Sequence, residues 1–178
     1  MGLTEGKGKP TRIPFRWSSR LSVARGVARA LEYLHLNTKS TNVVPHGNLK
    51  LSNVLLDEND GVLVTDYGLT SLVAAPLAAQ RMIAFKSPEY QSHKTVSRKP
   101  DVWSYGCLLL ALVTGSVSAD SAPPGTNAVA LCSWVHRAVR EEWTAEIFEV
   151  GVAVHRSAIP GMLNLQKIAM RCLVISPE

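Results

Sequence analysis

A mainly α-helical domain carrying one small β-hairpin, an α+β arrangement, is the fold class expected of this chain, and three features of the sequence point to it. Leu21, Ala24, Val27, Ala28, Leu31 and Leu34 recur at intervals of three and four, so they line one face of a helix. Val54–Leu56 and Val62–Thr65 are short apolar runs separated by Asp57, Glu58, Asn59, Asp60 and Gly61, residues that accept the positive φ of a tight turn. From Asp101 to Thr114 the chain is apolar almost all round and Gly115 follows, which describes a helix buried at the centre of a domain and stopped by a glycine.

In chain order, residues 1–16 are rich in Gly, Lys and Pro without a hydrophobic period and are expected to be a linker-like tail; the folded lobe is expected over residues 17–178. Ser18 or Ser19 is placed to cap the first helix, whose apolar face runs to about His35. Val43 and Val44 read as a short extended piece before the hairpin. Beyond the central helix, Asp120–Asn127 with Pro123, Pro124 and Gly125 reads as a loop, and Ala128–Glu142 and Leu163–Cys172 as two further helices.

Composition narrows the function classes. The chain has 178 residues, 46% of them hydrophobic, and a mean hydropathy of +0.07, enough apolar material for one core and unlike a disordered segment. The net charge of +5 is concentrated early, where Lys7, Lys9, Arg12, Arg16, Arg20 and Arg25 are met only by Glu5 before Glu32. No aromatic-interleaved basic stripe or nucleic-acid motif accompanies them, so a solvated linker and an exposed helix face are expected, and no nucleic-acid partner. Cys107, Cys132 and Cys172 are widely spaced and odd in number, which suits a reducing compartment rather than a disulfide framework. His35, His93, His136 and His155 have no ligand spacing, and are expected to be surface or hydrogen-bonded side chains rather than metal ligands. The longest apolar run, Cys107–Val113, is too short to cross a membrane, and residues 1–14 lack a signal-peptide core.

The motifs that carry chemistry occur in a definite order. His46-Gly47-Asn48-Leu49-Lys50-Leu51-Ser52-Asn53 precedes the hairpin, Asp66-Tyr67-Gly68 follows it, and Lys86-Ser87-Pro88-Glu89-Tyr90 and Asp101-Val102-Trp103-Ser104-Tyr105-Gly106 come next. This order resembles the catalytic loop, metal-binding loop, segment end and central helix of the large lobe of a protein kinase. The wording, including W-V-H-R-A-V-R-E-E-W-T-A-E-I-F from Trp134, is similar to plant leucine-rich-repeat receptor-like kinases, the pollen receptor-like subgroup in particular.

The resemblance implies roles for particular residues. Asn53 and Asp66 match two magnesium ligands that bridge the phosphates of ATP, hard oxygen donors suited to a hard cation. Lys50 matches the lysine beside the transferred phosphate, and Leu55 a residue beneath the adenine ring. His46 and Tyr67 match the lower part of a hydrophobic stack that joins the two lobes. Asp101 matches an acceptor of hydrogen bonds from the catalytic-loop backbone, although the bare pattern also fits an ordinary helix cap, and Lys50 read alone is a surface lysine.

Departures from the family pattern matter equally. In H-R-D-L-x-x-x-N the Asp takes the proton of the substrate hydroxyl, and here Asn48 stands in its place. A neutral amide can orient a hydroxyl but cannot accept its proton. Gly47 replaces the Arg that would clamp a phosphorylated activation segment, so Thr70, Ser71 and Ser87 lack that receiver. No G-x-G-x-x-G loop or V-A-I-K lysine precedes the first helix, so the small lobe is expected to be absent, and the chain to stop before the last helix, where the Arg partner of Glu89 would lie. Three functional readings are open, the first two drawn from the resemblance. One is a pseudokinase lobe that signals by binding proteins, including a membrane receptor kinase, with its relatives at the plasma membrane and this domain on the cytoplasmic side. The second is Ser/Thr phosphoryl transfer from ATP by a full-length relative. A third is a truncated product with no stable role.

Overall fold

A computed structural model describes residues 16–36, 44–95, 97–115, 148 and 156–173. Along the described chain lie α1 (Trp17–Leu36), β1 (Val54–Leu56), β2 (Val62–Val64), α2 (Ala75–Arg81), α3 (Pro88–His93), α4 (Arg98–Thr114) and α5 (Ile159–Leu173), with short 3-10 turns at Leu51–Asn53, Leu69–Ser71, Ile83–Lys86 and Arg156–Ala158. The domain is mainly helical with a two-stranded antiparallel sheet, as the periodicity indicated. The anticipated helix Ala128–Glu142, the loop Asp120–Asn127, Val43, Cys132, and nearly all of the entry segment fall outside the described residues.

Helix α4 is the axis of the lobe. Leu109, Leu110, Leu112 and Val113 are sealed from solvent on successive sides of it, which accounts for the unbroken apolar run. Each such side chain contributes roughly 1.5–3 kcal/mol of burial. The helix begins earlier than the apolar run, at Arg98, because the Ser97 hydroxyl accepts from the Lys99 N–H at 3.3 Å and supplies the cap. Asp101 therefore sits in the first turn and is not the cap. Against α4 lies α5, whose approach requires Gly106: a Cβ there would meet Cβ of Cys172 and Cγ of Leu173 at 2.9 Å. Helix α5 starts at Ile159, four residues before the expected Leu163, carried on the 3-10 turn that precedes it.

Helix α1 packs Val23, Ala24, Val27 and Leu31 into the same core. Three expectations for it are corrected. It starts at Trp17, so Ser18 and Ser19 lie inside it, and the Ser19 hydroxyl instead donates to the Asp60 carboxylate at 3.1 Å, tying the helix to the hairpin turn. Ala28 is exposed, and the face is completed by Val23. Arg20 does not belong to the solvated basic face: it is buried, and its guanidinium donates to the Leu112 carbonyl of α4. A long aliphatic stem with a delocalised cation can be buried when its donors are met.

The hairpin pairs Val54 with Val64, Leu55 with Leu63 and Leu56 with Val62. Thr65 is outside the strand, because its N–H turns to the Asn53 carbonyl at 2.9 Å. The turn holds its shape through Asp57, whose Oδ1 accepts from the N–H groups of Asn59 at 2.8 Å and Gly61 at 2.6 Å. The segment from Asp66 to Glu89 is read from the sequence only for its hydroxyls, Thr70, Ser71 and Ser87, with no element assigned to it. It folds as α2 and α3 around a second small cluster of Ala78, Met82, Ala84 and Phe85. Neither helix exceeds two turns, too short for a periodic signal to stand out.

Candidate functional site

The loop from Val44 to Lys50 has no regular secondary structure, so its shape must come from outside. Asp101 supplies it. Its carboxylate is fully buried; Oδ2 accepts from the His46 N–H at 2.7 Å and Oδ1 from the Gly47 N–H at 2.8 Å. His35, at the end of α1, completes the arrangement with Nε2 at 3.0 Å from Oδ2. A buried carboxylate is tolerable only when its lone pairs are occupied this way. One acidic side chain thus joins α1, α4 and the loop.

Inside the loop the pieces interlock. The Asn48 N–H donates to Nδ1 of His46 at 3.3 Å, and the Asn48 carbonyl accepts from Nδ2 of Asn53 at 2.9 Å. Leu49, almost wholly buried, anchors the loop in the main core. The Gly68 N–H reaches the His46 carbonyl at 3.2 Å and the Ala84 N–H the Gly47 carbonyl at 3.3 Å, so the segment after the hairpin is laced to the same loop. Gly47 makes the lacing possible. Its φ is +77°, and a Cβ at that position would lie 2.2 Å from Cγ2 of Thr70. The glycine that stands where an Arg was expected is a seat for the Leu69–Ser71 turn.

The sequence-nominated residues are distributed as follows. His46, Asn48, Asn53 and Asp101 are buried; Lys50, Leu55, Asp66 and Tyr67 are exposed. Burial lowers the His46 pKa, opposed by the nearby charge of Asp101 and, more weakly, of Asp66. Gly68, two residues beyond Asp66, bonds to the His46 carbonyl at 3.2 Å, which keeps this stretch beside the loop. Asp66 itself adopts φ +61°, a left-handed conformation that costs a non-glycine residue about 1 kcal/mol or more, as is common at functional positions. Glu89 is half-buried, with Oε2 shielded and unbonded among the described residues. Ser87 is fully buried, and its hydroxyl caps α3 by accepting from the Tyr90 N–H at 3.2 Å. It is not an open acceptor of a phosphate, whereas Ser71 is exposed.

Two polar atoms in the loop stand out. Nε2 of His46 and Oδ1 of Asn48 are buried with no hydrogen-bond partner among the described residues. Asn48 is the residue that the sequence resemblance sets in the place of a catalytic Asp. A hard cation could still be met here by Asn53 and Asp66. The amide nitrogen of Asn53 is committed to Asn48, leaving Oδ1 touched only by the Ser52 hydroxyl at 3.5 Å, and no side chain among the described residues bonds to the Asp66 carboxylate. These two oxygen donors fit magnesium, which takes few protein ligands and completes its shell with water and phosphate. No cluster of three or more His, Cys, Asp or Glu able to hold a metal exists among the described residues, and none of their helices is long and apolar enough to cross a membrane.

The sequence reading did not single out His35, Leu49 or Thr70 for this site. His35 carried no local signal, because its partner is far along the chain and only the crossing of α1 and α4 brings them together.

Residues 11–146 match the protein kinase domain. A probable LRR receptor-like serine/threonine-protein kinase of Arabidopsis thaliana is 40% identical over 92% of this chain and 24% of its own length. Pollen receptor-like kinase 2 of Arabidopsis thaliana is 37% identical over 91% of this chain and 25% of its own length. Among solved structures, the pseudokinase domain of BIR2, an immune regulator of the RLK/Pelle family, superposes with a TM-score of 0.72 at 27% identity, covering 92% of this chain and 48% of that one. The chain spans about a quarter of the length of the curated relatives it matches. It belongs to the protein kinase family, and the relatives it resembles are plant leucine-rich-repeat receptor-like kinases.

Proposed function

We propose that this chain is the helical lobe of a receptor-like pseudokinase, which acts in signalling by binding other proteins, a membrane receptor kinase among them, rather than by transferring phosphate. The observation that carries this reading is Asn48: a neutral amide, with its oxygen buried and unpartnered among the described residues, in the place of the base that would take the proton of a substrate hydroxyl. Loss of a general base slows such a step by roughly 10²–10⁴-fold. The likeness to the pseudokinase domain of BIR2 supports the same reading. The bound group, magnesium-ATP, would supply the phosphoryl group and the charge neutralisation. Asn53 and Asp66 would hold its metal, Lys50 would lie beside its phosphates, Leu55 would lie beneath its adenine ring, and His46 and Tyr67 would form the lower part of the stack that joins the lobes.

A second reading, Ser/Thr phosphoryl transfer in a full-length relative, is favoured by the uncommitted oxygens of Asn53 and Asp66, since phosphoryl transfer depends mainly on positioning and charge. One experiment separates the two. The purified chain is incubated with magnesium, radiolabelled ATP and a Ser/Thr peptide, beside its Asp66→Ala variant. The pseudokinase reading expects no transfer from either; label that appears with the parent chain and vanishes with Asp66→Ala would overturn it.

A further inference from the structure

From Arg81 to Lys99 the chain carries five cations, Arg81, Lys86, Lys94, Arg98 and Lys99, against one carboxylate, Glu89. The elements that bear them are packed together. The Gln91 amide of α3 donates to the Phe85 carbonyl of the preceding 3-10 turn at 2.6 Å, the rings of Phe85 and Tyr90 lie 4.4 Å apart, and both the turn and α3 contact α4. All five cations are at least partly exposed, and none has an ion-pair partner among the described residues. Lys94 only rests near the Tyr90 ring at 5.8 Å and donates to Gln91 at 3.1 Å. On α2, Leu77 precedes Arg81 by one turn and is 49% exposed, so an apolar side chain borders the cationic surface.

Unpaired like charges on one packed unit repel one another, and a folded surface relieves this by counter-ions or by a partner of opposite sign. The cations are spread over α2, the 3-10 turn, the C-terminal cap of α3 and the head of α4 rather than converging as an arginine fork, so they suit a string of separate carboxylates better than one phosphate. They also do not form the basic face of a single amphipathic helix that would lie on a membrane. We infer that the surface formed by Arg81, Lys86, Lys94, Arg98 and Lys99, bordered by Leu77, is a docking site for a carboxylate-rich polypeptide segment of a partner protein.

This rests on the protein-binding reading above and names the chemistry of the partner. The test uses the full chain and a fluorescein-labelled peptide of Glu, Leu and Ser, followed by anisotropy, with the same peptide carrying Gln for Glu as control. Saturable binding of the acidic peptide is expected, weakening with salt. The triple variant Lys94→Glu, Arg98→Glu, Lys99→Glu should weaken it about tenfold or more, in the range that electrostatic complementarity commands. An equal charge change at Arg16→Glu, Arg25→Glu and Arg29→Glu, all exposed on or beside α1, should alter it by less than about threefold. Should the first triple lower the urea midpoint, the neutralising set Lys94→Gln, Arg98→Gln, Lys99→Gln is read in the same way. Equal losses from both triples would reduce the effect to net charge and overturn the inference, as would binding to phosphatidylserine-containing vesicles without binding to the acidic peptide. The radiolabel assay is independent: a failed docking test with no phosphate transfer sinks this surface and leaves the pseudokinase reading standing.

Discussion

Replacing Asp101 by Asn should be the most damaging single-atom change in this fold. The carboxylate is fully buried and accepts at 2.7, 2.8 and 3.0 Å from His46, Gly47 and His35. In the variant an amide nitrogen takes the place of one oxygen and meets a donor, whichever way the amide is turned. Hydrogen bonds to a charged acceptor contribute about 1.5–3 kcal/mol each, and breaking one member of a buried charged network costs about 3–5 kcal/mol. Relief from burying the charge offsets part of this, so a net loss of about 3–4 kcal/mol is expected. With a urea m-value of about 2 kcal/mol/M, the unfolding midpoint should fall by about 1.5–2 M. Asp57→Asn is the internal comparison, because Asp57 also accepts two backbone N–H groups but in an exposed turn, and its loss should stay near 1 kcal/mol. Equal midpoints for the two variants would refute the argument that burial makes the Asp101 network the organiser of the loop.

Two further outcomes follow from the same region. His46 is buried with its pKa held below the usual 6.5, so the fold resists its protonation while the unfolded chain takes up a proton as pH falls through 6.5. Its contribution is therefore full above about pH 6.5 and lost progressively below it, at up to about 1.4 kcal/mol per pH unit; urea midpoints from pH 5 to 8 should show this decline, and His46→Gln should flatten it, whereas a midpoint rising on acidification would contradict the assignment. Gly47→Ala should cost about 1–2 kcal/mol for the left-handed backbone and about 1–3 kcal/mol for the overlap with Thr70. Adding Thr70→Ser deletes the clashing methyl and should recover only the second part, so a double-mutant cycle without coupling would deny that the Leu69–Ser71 turn sits on Gly47.

The fold class was legible because its long elements have periods that survive without context. The apolar face of α1, the hairpin turn at Asp57–Gly61 and the run through α4 each announce an element from neighbours in sequence. Errors arose where a residue answers to a distant partner. Arg20 looked like a surface cation until α4 brought the Leu112 carbonyl to it, and Ser19 looked like a cap until the hairpin brought Asp60. Helices α2 and α3 are too short to show a period, and they exist because Ala78, Met82, Ala84 and Phe85 close a cluster of their own.

The motifs alone identified the family, since that depends on residue identity and order, which the chain states directly, and they nominated Asn48 as the stand-in for a base. What depends on distance came only with the folded chain: the joining of His35, Asp101 and the loop, the seat that Gly47 offers to Thr70, and the burial of the Asn48 oxygen without a partner among the described residues. Those contacts join residues brought together by the crossing of α1 and α4 and by the return of the segment after the hairpin. A linear string encodes such crossings through the whole core at once, so no local pattern reports them.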